Sequence, residues 1–178
     1  PPRSTLFPYT TLFRSNHHCA GRYENEAKPG WWDSFIGPNK PVDTNKYFVI
    51  CTNNIGSCFG STGPMSPNYP SDKPYRFKFP VLTISDIVKA QKILLDSLGI
   101  HRVKAIIGGS MGGMQALCYA IEYPRFADII IPMATTSYTR PWAIAFNKIT
   151  VEAIKNDPDF KNGEYEAEIG RASCRERV

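Results

Sequence analysis

Apolar and polar positions follow one another along this chain in a pattern that predicts alternating strands and helices. Continuous apolar or β-branched runs predict strands at 47–52, 103–107 and 127–133, and the first of these is expected to be buried. Apolar residues at helical spacing predict helices at 83–98, 114–121 and 141–156. Alternation of strands with helices is typical of an α/β fold, so we expect a doubly wound parallel sheet with right-handed crossovers.

Local signals define where some of these helices begin and end. The Thr83 hydroxyl can cap the first helix, and Asp86 three residues later completes a capping-box pattern. Gly99 is placed to end this helix. Stretches 16–46 and 53–80 are rich in Gly, Pro and Asn and predict long loops. Because the second loop follows the carboxyl end of a strand, we expect it to line the functional site.

The turn at 108–113, GGSMGG, joins a predicted strand to a predicted helix. A G-x-S-x-G sequence in that context is the nucleophile-elbow pattern of α/β-hydrolases. Gly108 and Gly112 would supply the clearance that a strained serine between strand and helix requires. Ser110 is therefore the candidate nucleophile, and the backbone N–H of Met111 is a candidate oxyanion donor.

Two other structures remain open for this turn. It could be a glycine-rich turn with a capping serine, or a phosphate loop. A P-loop would end in Gly-Lys-Ser or Gly-Lys-Thr, which the turn does not.

Both ends of the chain resemble translated sequencing-adapter DNA. Residues 5–15 read TLFPYTTLFRS and residues 168–178 read EIGRASCRERV. Residues 13–15 can be encoded by TTC CGA TCT. The reverse complement of these codons is AGATCGGAA, which encodes Ile-Gly when it is read from its third base. Ile-Gly is the sequence at 169–170. We therefore expect 1–15 and 168–178 to be non-native tails, left out of fold reasoning, and 16–167 to be a partial α/β-hydrolase catalytic domain.

Composition excludes some functions. The 178 residues suffice for one domain, and no apolar run approaches the roughly 20 residues that span a membrane. The net charge is +5, but without the expected tails 16 basic and 14 acidic residues remain, so charge does not indicate nucleic-acid binding. The remaining cysteines show no C-x-x-C spacing and predict free thiols in a reducing cytoplasm: Cys19, Cys51, Cys58 and Cys118. No cluster has metal-ligand spacing.

Several blocks resemble the homoserine O-acyltransferases of the α/β-hydrolase superfamily, and together they extend over nearly all of 16–166. They are GGSMGGMQAL at 108–117, PGWWDSFIGPNKPVDTNKYFV at 29–49, NNIGSCFGSTGP at 53–64 and FPVLTISDIVKAQKILLDSLGI at 79–100. The segments HHCAG and KPGWWD look most like the proteobacterial members, some of which use succinyl-CoA. Val151 stands where the resemblance implies an arginine.

The resemblance implies a mechanism. Ser110 would attack the thioester of acetyl-CoA or succinyl-CoA, and the hydroxyl of L-homoserine would take the acyl group, as in methionine biosynthesis. These are co-substrates, so no bound cofactor and no metal are expected. Met111 N–H would be one oxyanion donor, and the other would come from a loop just before Asn16, outside what this chain matches.

The histidines limit what this chain is expected to do alone. In this fold the acid and the histidine follow the serine, but no histidine follows Ser110 here. We therefore expect an N-terminal-half fragment that is inactive as written. His101 should lie at the opposite end of the elbow strand, and His17 and His18 near the mouth of the site. Asn53 and Thr62 are candidate substrate-loop residues, or else they satisfy loop backbone.

The resemblance favours homoserine O-acetyltransferase as the function. The alternatives are an O-succinyltransferase of the same family, an esterase or thioesterase of the same fold, and a non-catalytic fragment. We expect small-molecule substrates, no nucleic acid, no membrane, a cytoplasmic location and a homodimer as the full-length form.

Overall fold

The computed structural model describes residues 4–11, 17–24 and 27–164. They fall into two compact units, described separately below. The first lies within Pro1–Ile55, Phe59–Ser61 and Leu82–Ser137, and the second within Gly56–Cys58, Thr62–Val81 and Tyr138–Val178.

The strands and helices follow one another in chain order. The strands are β1 (Ser4–Thr11), β2 (Ile36–Gly37), β3 (Val42–Asp43), β4 (Tyr47–Val49), β5 (Pro67–Asn68), β6 (Lys73–Pro74), β7 (Val103–Ser110) and β8 (Ala127–Met133). The α-helices are α1 (Ile84–Ser97), α2 (Met111–Glu122) and α3 (Pro141–Lys155).

A four-stranded sheet in the order β4-β1-β7-β8 forms the centre of the first unit. All three pairings are parallel, and Ile106 lies opposite Ile130 in the β7–β8 pair. The prediction of an α/β fold with a parallel sheet is therefore confirmed. Parallel neighbours bring the carboxyl ends of β4, β7 and β8 to the same edge, where the loops that follow them begin.

Strand β7 is buried on both faces. Ile106 packs in one apolar cluster with Val88, Leu95, Ala116, Tyr119 and Phe126. Ala105 and Ile107 face a second cluster with Ile36 and Val42. A continuous apolar run is what a parallel strand covered on both sides requires, which explains why the run at 103–107 is not alternating.

The beginning of α1 agrees with the prediction. The Thr83 side chain accepts a hydrogen bond from the N–H of Asp86, and the Asp86 carboxylate accepts one from the N–H of Thr83. At the other end Gly99 adopts φ +73°, the left-handed conformation expected of a residue that ends a helix. Both predicted end signals of this helix are confirmed.

The second unit contains α3 and a short antiparallel hairpin of β5 and β6. Its 3-10 turns at Arg76–Lys78 and Pro158–Gly163 meet through several contacts. Arg76 donates a hydrogen bond to the carbonyl of Gly163 at 2.8 Å, and the Phe77 and Phe160 rings lie edge to face at 5.6 Å.

Three expectations need correction or extension. Strand β4 ends at Val49 rather than 52, and it is not buried as predicted, since Phe48 is 54% exposed. The loop predicted at 53–80 contains β5, β6 and a 3-10 turn. Strands β2 and β3 interrupt the loop predicted at 16–46.

The tail expected at 1–15 contains strand β1, which lies between β4 and β7 in the sheet. The sheet expected from residues 16–167 alone therefore lacks one strand that the structure contains. The adapter origin of 1–15 remains a prediction, and residues 168–178 lie outside the described residues.

Candidate active site

Ser110 occupies the junction between β7 and α2. It is the last residue of the strand and the N-cap of the helix, with φ 54° and ψ −121°. Positive φ is uncommon for a residue with a Cβ and costs on the order of 1–3 kcal/mol. A strained serine between a parallel strand and the helix that follows is the geometry of a nucleophile elbow.

The hydroxyl of Ser110 is not used to cap the helix. A serine at an N-cap normally accepts a hydrogen bond from a backbone N–H of the first turn, but Ser110 makes no such side-chain bond. Within the described residues, no histidine or carboxylate is hydrogen-bonded to it either. Ser110 is partly exposed.

The first turn of α2 supplies positive electrostatic potential beside Ser110. The first N–H groups of any α-helix have no intrahelical acceptor, and they form the positive end of the helix dipole. Met111 is the first helical residue, and the first turn has no acidic side chain that would cancel this positive potential. The candidate oxyanion donor predicted at Met111 therefore lies at the start of a helix next to the candidate nucleophile.

Close packing at this turn occurs at Gly113, a residue that the sequence analysis did not single out. A Cβ at Gly113 would lie 2.6 Å from both Cβ and Cγ2 of Thr135 and 3.1 Å from the carbonyl oxygen of Gly108. Gly108 and Gly112, the predicted elbow glycines, are buried. The doubled glycine after Met111 was the signal that could have identified this contact.

The two candidate substrate-loop residues both make bonds that hold their loops. Asn53 Oδ1 accepts a hydrogen bond from the N–H of His17 at 3.1 Å, and Asn53 Nδ2 donates to the carbonyl of Phe59. In the second unit, the carbonyl of Thr62 accepts from the N–H of Gly56 at 2.7 Å. A role for either residue in substrate binding remains a prediction.

The three histidines occupy different surroundings. His101 is exposed and pairs with Asp96. It precedes β7, so it is separated from Ser110 by the length of that strand, roughly 23 Å at about 3.3 Å per residue. His18 is buried with its ring centroid 4.2 Å from that of Tyr23, and His17 is exposed.

The pKa values of two described cysteine thiols are shifted in opposite directions. Burial and the nearby Glu122 carboxylate raise the pKa of Cys118, which lies on α2, to about 11. Its thiol is therefore protonated at neutral pH. A hydrogen bond from Cys51 lowers the pKa of the Cys19 thiol. All four described cysteines are free thiols.

The described residues contain neither a metal-binding cluster nor a membrane-spanning helix. No group of three or more His, Cys, Asp or Glu residues among the described ones is arranged to hold a metal ion. Of the helices that the structure describes, none has the length and apolar character needed to cross a bilayer.

Comparison with known proteins adds a family and several relatives. The alpha/beta hydrolase fold family matches residues 26–176. Homoserine O-acetyltransferase of Sulfurimonas autotrophica is 66% identical over 154 residues, covering 86% of this chain and 42% of that protein. The chain therefore spans less than half the length of this relative.

Two solved structures superpose well on the chain. The crystal structure of homoserine O-acetyltransferase from Bacillus anthracis matches with a TM-score of 0.85 and 34% identity, covering 92% of this chain and 46% of that one. The crystal structure of esterase E22 matches with a TM-score of 0.84 and 38% identity, covering 93% and 47%.

Proposed function

Because the chain belongs to the α/β-hydrolase fold family, we propose that it carries the nucleophile of a homoserine O-acetyltransferase. The full-length protein would transfer an acetyl group from acetyl-CoA to the hydroxyl of L-homoserine, a step of methionine biosynthesis. The observation that carries this proposal is the strained Ser110 between β7 and α2, whose hydroxyl is not used as a cap. The 66% identity to the Sulfurimonas autotrophica relative supports the choice of reaction.

The chemistry at Ser110 would proceed in two steps. Ser110 Oγ attacks the thioester carbonyl and loses its proton to a base, which gives an acyl-serine and releases CoA as the thiol. The base passes its proton to the departing CoA sulfur. The homoserine hydroxyl then attacks the acyl-serine and loses its own proton to the base, which passes that proton to Ser110 Oγ as the O-acylhomoserine leaves. In both steps negative charge develops on the carbonyl oxygen, which Met111 N–H at the start of α2 would stabilise.

The triad base and its orienting acid would come from the rest of the full-length protein. A histidine acts as base after the serine in chain order in this fold, and residues 111–178 contain none. The second oxyanion donor also belongs to a segment that this chain does not match. For the 178-residue chain alone we therefore expect very slow labelling of Ser110 by a fluorophosphonate, and brisk stoichiometric labelling would contradict this.

Competing assignments differ in the acyl donor or in the acceptor. The relatives reported above are named for acetyl transfer, which favours acetyl-CoA over succinyl-CoA. Hydrolysis is the other outcome to test, because one solved neighbour is an esterase. An esterase and a transferase share the acyl-enzyme and differ in whether water or an amino-acid hydroxyl accepts the acyl group.

A hybrid enzyme can test the proposal on this chain's own residues. In it, residues 17–164 replace the matching segment of the Sulfurimonas autotrophica relative, which supplies the remaining parts of the site. We expect CoA release from acetyl-CoA to depend on L-homoserine and to exceed release from succinyl-CoA. Release that is unaffected by homoserine would identify a hydrolase, and a preference for succinyl-CoA would change the donor.

A further inference from the structure

We propose that three buried amide side chains position the elbow helix so that Ser110 and Met111 act together. Asn54, Gln91 and Gln115 form this cluster, which we call the amide triangle. This inference rests on the proposed function in one respect, because its kinetic test measures acetyl transfer. It is not a feature that the elbow motif itself contains, because only Gln115 lies on α2.

The triangle is closed by hydrogen bonds between side chains. Asn54 Oδ1 accepts from Gln91 Nε2 at 3.3 Å and from Gln115 Nε2 at 3.5 Å. Gln91 Nε2 also donates to Gln115 Oε1 at 3.3 Å. Asn54, Gln91 and Gln115 are 6%, 3% and 0% exposed. Amide side chains are mostly exposed in folded proteins, so three that are this deeply buried in one cluster are unusual.

The three residues come from the elements that surround the elbow. Asn54 follows β4 at the same sheet edge as Ser110, Gln91 lies in the middle of α1, and Gln115 lies on α2. Four residues of helix separate Gln115 from Met111, a rise of about 6 Å. The triangle thus ties the loop after β4 and helix α1 to the end of α2 that carries the candidate oxyanion donor.

Hydrogen bonds give this contact a directional preference that apolar packing does not have. Apolar side chains at these positions would bury as much surface, but they would tolerate small slides between helix and loop. A buried amide that loses its hydrogen-bond partner destabilises the fold, because it has given up its bonds to water without replacement. The triangle therefore favours one mutual position of α1, α2 and the loop, and displacement of about 1 Å at a catalytic group can cost about 100-fold in rate.

A second side-chain tie between α1 and α2 provides a matched control. Ser85 donates a hydrogen bond to Glu122, the last residue of α2. Eleven residues separate Glu122 from Met111, a rise of about 16 Å. Both ties join the same two helices, but only the triangle is close to the elbow. Loss of the Ser85 bond should affect helix packing without moving Ser110.

The test uses the hybrid enzyme and compares three variants. Gln115→Met breaks the triangle and leaves two buried amides. A triple variant, Asn54→Leu with Gln91→Met and Gln115→Met, replaces the three buried amides with apolar side chains of similar shape, which can restore stability. Ser85→Ala is the control. Each protein is measured for thermal unfolding, for kcat and KM of acetyl transfer, and for the rate of Ser110 labelling by a fluorophosphonate.

The positioning role predicts that stability and catalysis separate. We expect the triple variant to unfold within a few degrees of the parent, while its kcat falls about 10- to 100-fold with little change in KM. Its rate of Ser110 labelling should fall in parallel. Ser85→Ala should keep the parent kcat and labelling rate. A triple variant that regains both stability and kcat would show that the triangle is only structural, and the proposal would be wrong.

The labelling readout distinguishes failure of this inference from failure of the proposed function. If the parent hybrid releases acetate without homoserine, the transferase proposal fails, yet fluorophosphonate labelling still compares parent and variants. If the parent neither turns over nor labels at Ser110, Ser110 is not a nucleophile and the positioning role fails with it. If Gln115→Met unfolds, the triple variant still decides between the two roles.

Discussion

Helices α1 and α2 begin in opposite ways, although both start with a hydroxyl residue in the same unit. Thr83 has an extended backbone, and its side chain and Asp86 satisfy each other's N–H groups. Ser110 has a positive φ and makes no side-chain cap. The third helical residue is Asp86 in α1 and Gly113 in α2. One helix start is arranged for stability, and the other leaves its hydroxyl and its N–H groups available for chemistry.

Two hydroxyl residues at helix starts are therefore used differently: Thr83 caps its helix, and Ser110 leaves its helix uncapped. At α1 the hydroxyl and carboxylate are consumed by local hydrogen bonds, so they contribute to folding. At α2 the missing cap and the strained φ both reduce stability. Four substitutions in the hybrid enzyme test this difference.

Removal of the Ser110 hydroxyl should have the largest effect, and the effect should be on activity alone. We expect Ser110→Ala to reduce kcat for acetyl transfer by roughly 10⁶-fold, as for other serine nucleophiles. The free energy of unfolding should not fall by the amount typical of a lost cap, because Ser110 makes no cap bond. Urea unfolding and a CoA-release assay measure both quantities. Acetyl transfer within about tenfold of the parent would show that Ser110 is not the nucleophile.

A side chain at Gly113 should disrupt the start of α2. In Gly113→Ala the new Cβ would overlap Thr135, and overpacking typically costs about 1–3 kcal/mol of folding free energy. Urea unfolding measures the loss. Combination with Thr135→Gly removes the two closest atoms and should recover part of it, so the two substitutions should be non-additive. Strict additivity would mean that the Gly113–Thr135 contact does not account for the glycine.

Removal of the Thr83 hydroxyl should affect stability without affecting activity, the reverse of Ser110→Ala. Loss of an N-cap side chain costs about 1 kcal/mol, so Thr83→Ala should lower the free energy of unfolding by about that amount. The kcat of the hybrid should stay the same because α1 begins away from the elbow. Thr83→Ser, which keeps the hydroxyl, is the matched control. A Thr83→Ala variant as stable as the parent would argue against the capping box.

The pH dependence of stability should show a small effect that is specific to α1. Hydrogen bonds from the Thr83 hydroxyl and N–H lower the pKa of Asp86 in the folded protein. A lowered folded pKa stabilises the fold above the unfolded pKa of about 3.9, and this stabilisation is lost as the pH falls through the folded value. The stability difference between parent and Asp86→Asn should thus be constant near neutral pH and disappear in acid. A difference that persists unchanged into strong acid would contradict this.

Sequence reasoning succeeded where local chemistry determines structure. The capping box at Thr83, the left-handed Gly99 and the strand-turn-helix around Ser110 all depend on residues close in the chain, and all are present. The parallel sheet followed from the order of strands and helices. These features need no knowledge of distant partners.

Features that depend on contacts between residues far apart in the chain could not be predicted from local sequence. The Gly113–Thr135 contact joins positions 22 residues apart, and the amide triangle joins Asn54 to Gln115 across 61 residues. Nothing local in the sequence distinguishes these amides from exposed ones. Strand β1 was not predicted because residues 1–15 resemble translated adapter DNA. The origin of a segment does not determine whether its backbone pairs with neighbouring strands.

Mass spectrometry of the acyl-enzyme can show whether Ser110 is the nucleophile. The hybrid enzyme would be incubated with acetyl-CoA without homoserine, quenched in acid and digested. We predict one added acetyl group on the peptide that contains Ser110, its loss when L-homoserine is added before quenching, and no such adduct in Ser110→Ala. An acetyl group on another residue, or release of CoA with Ser110 never acetylated, would contradict the account.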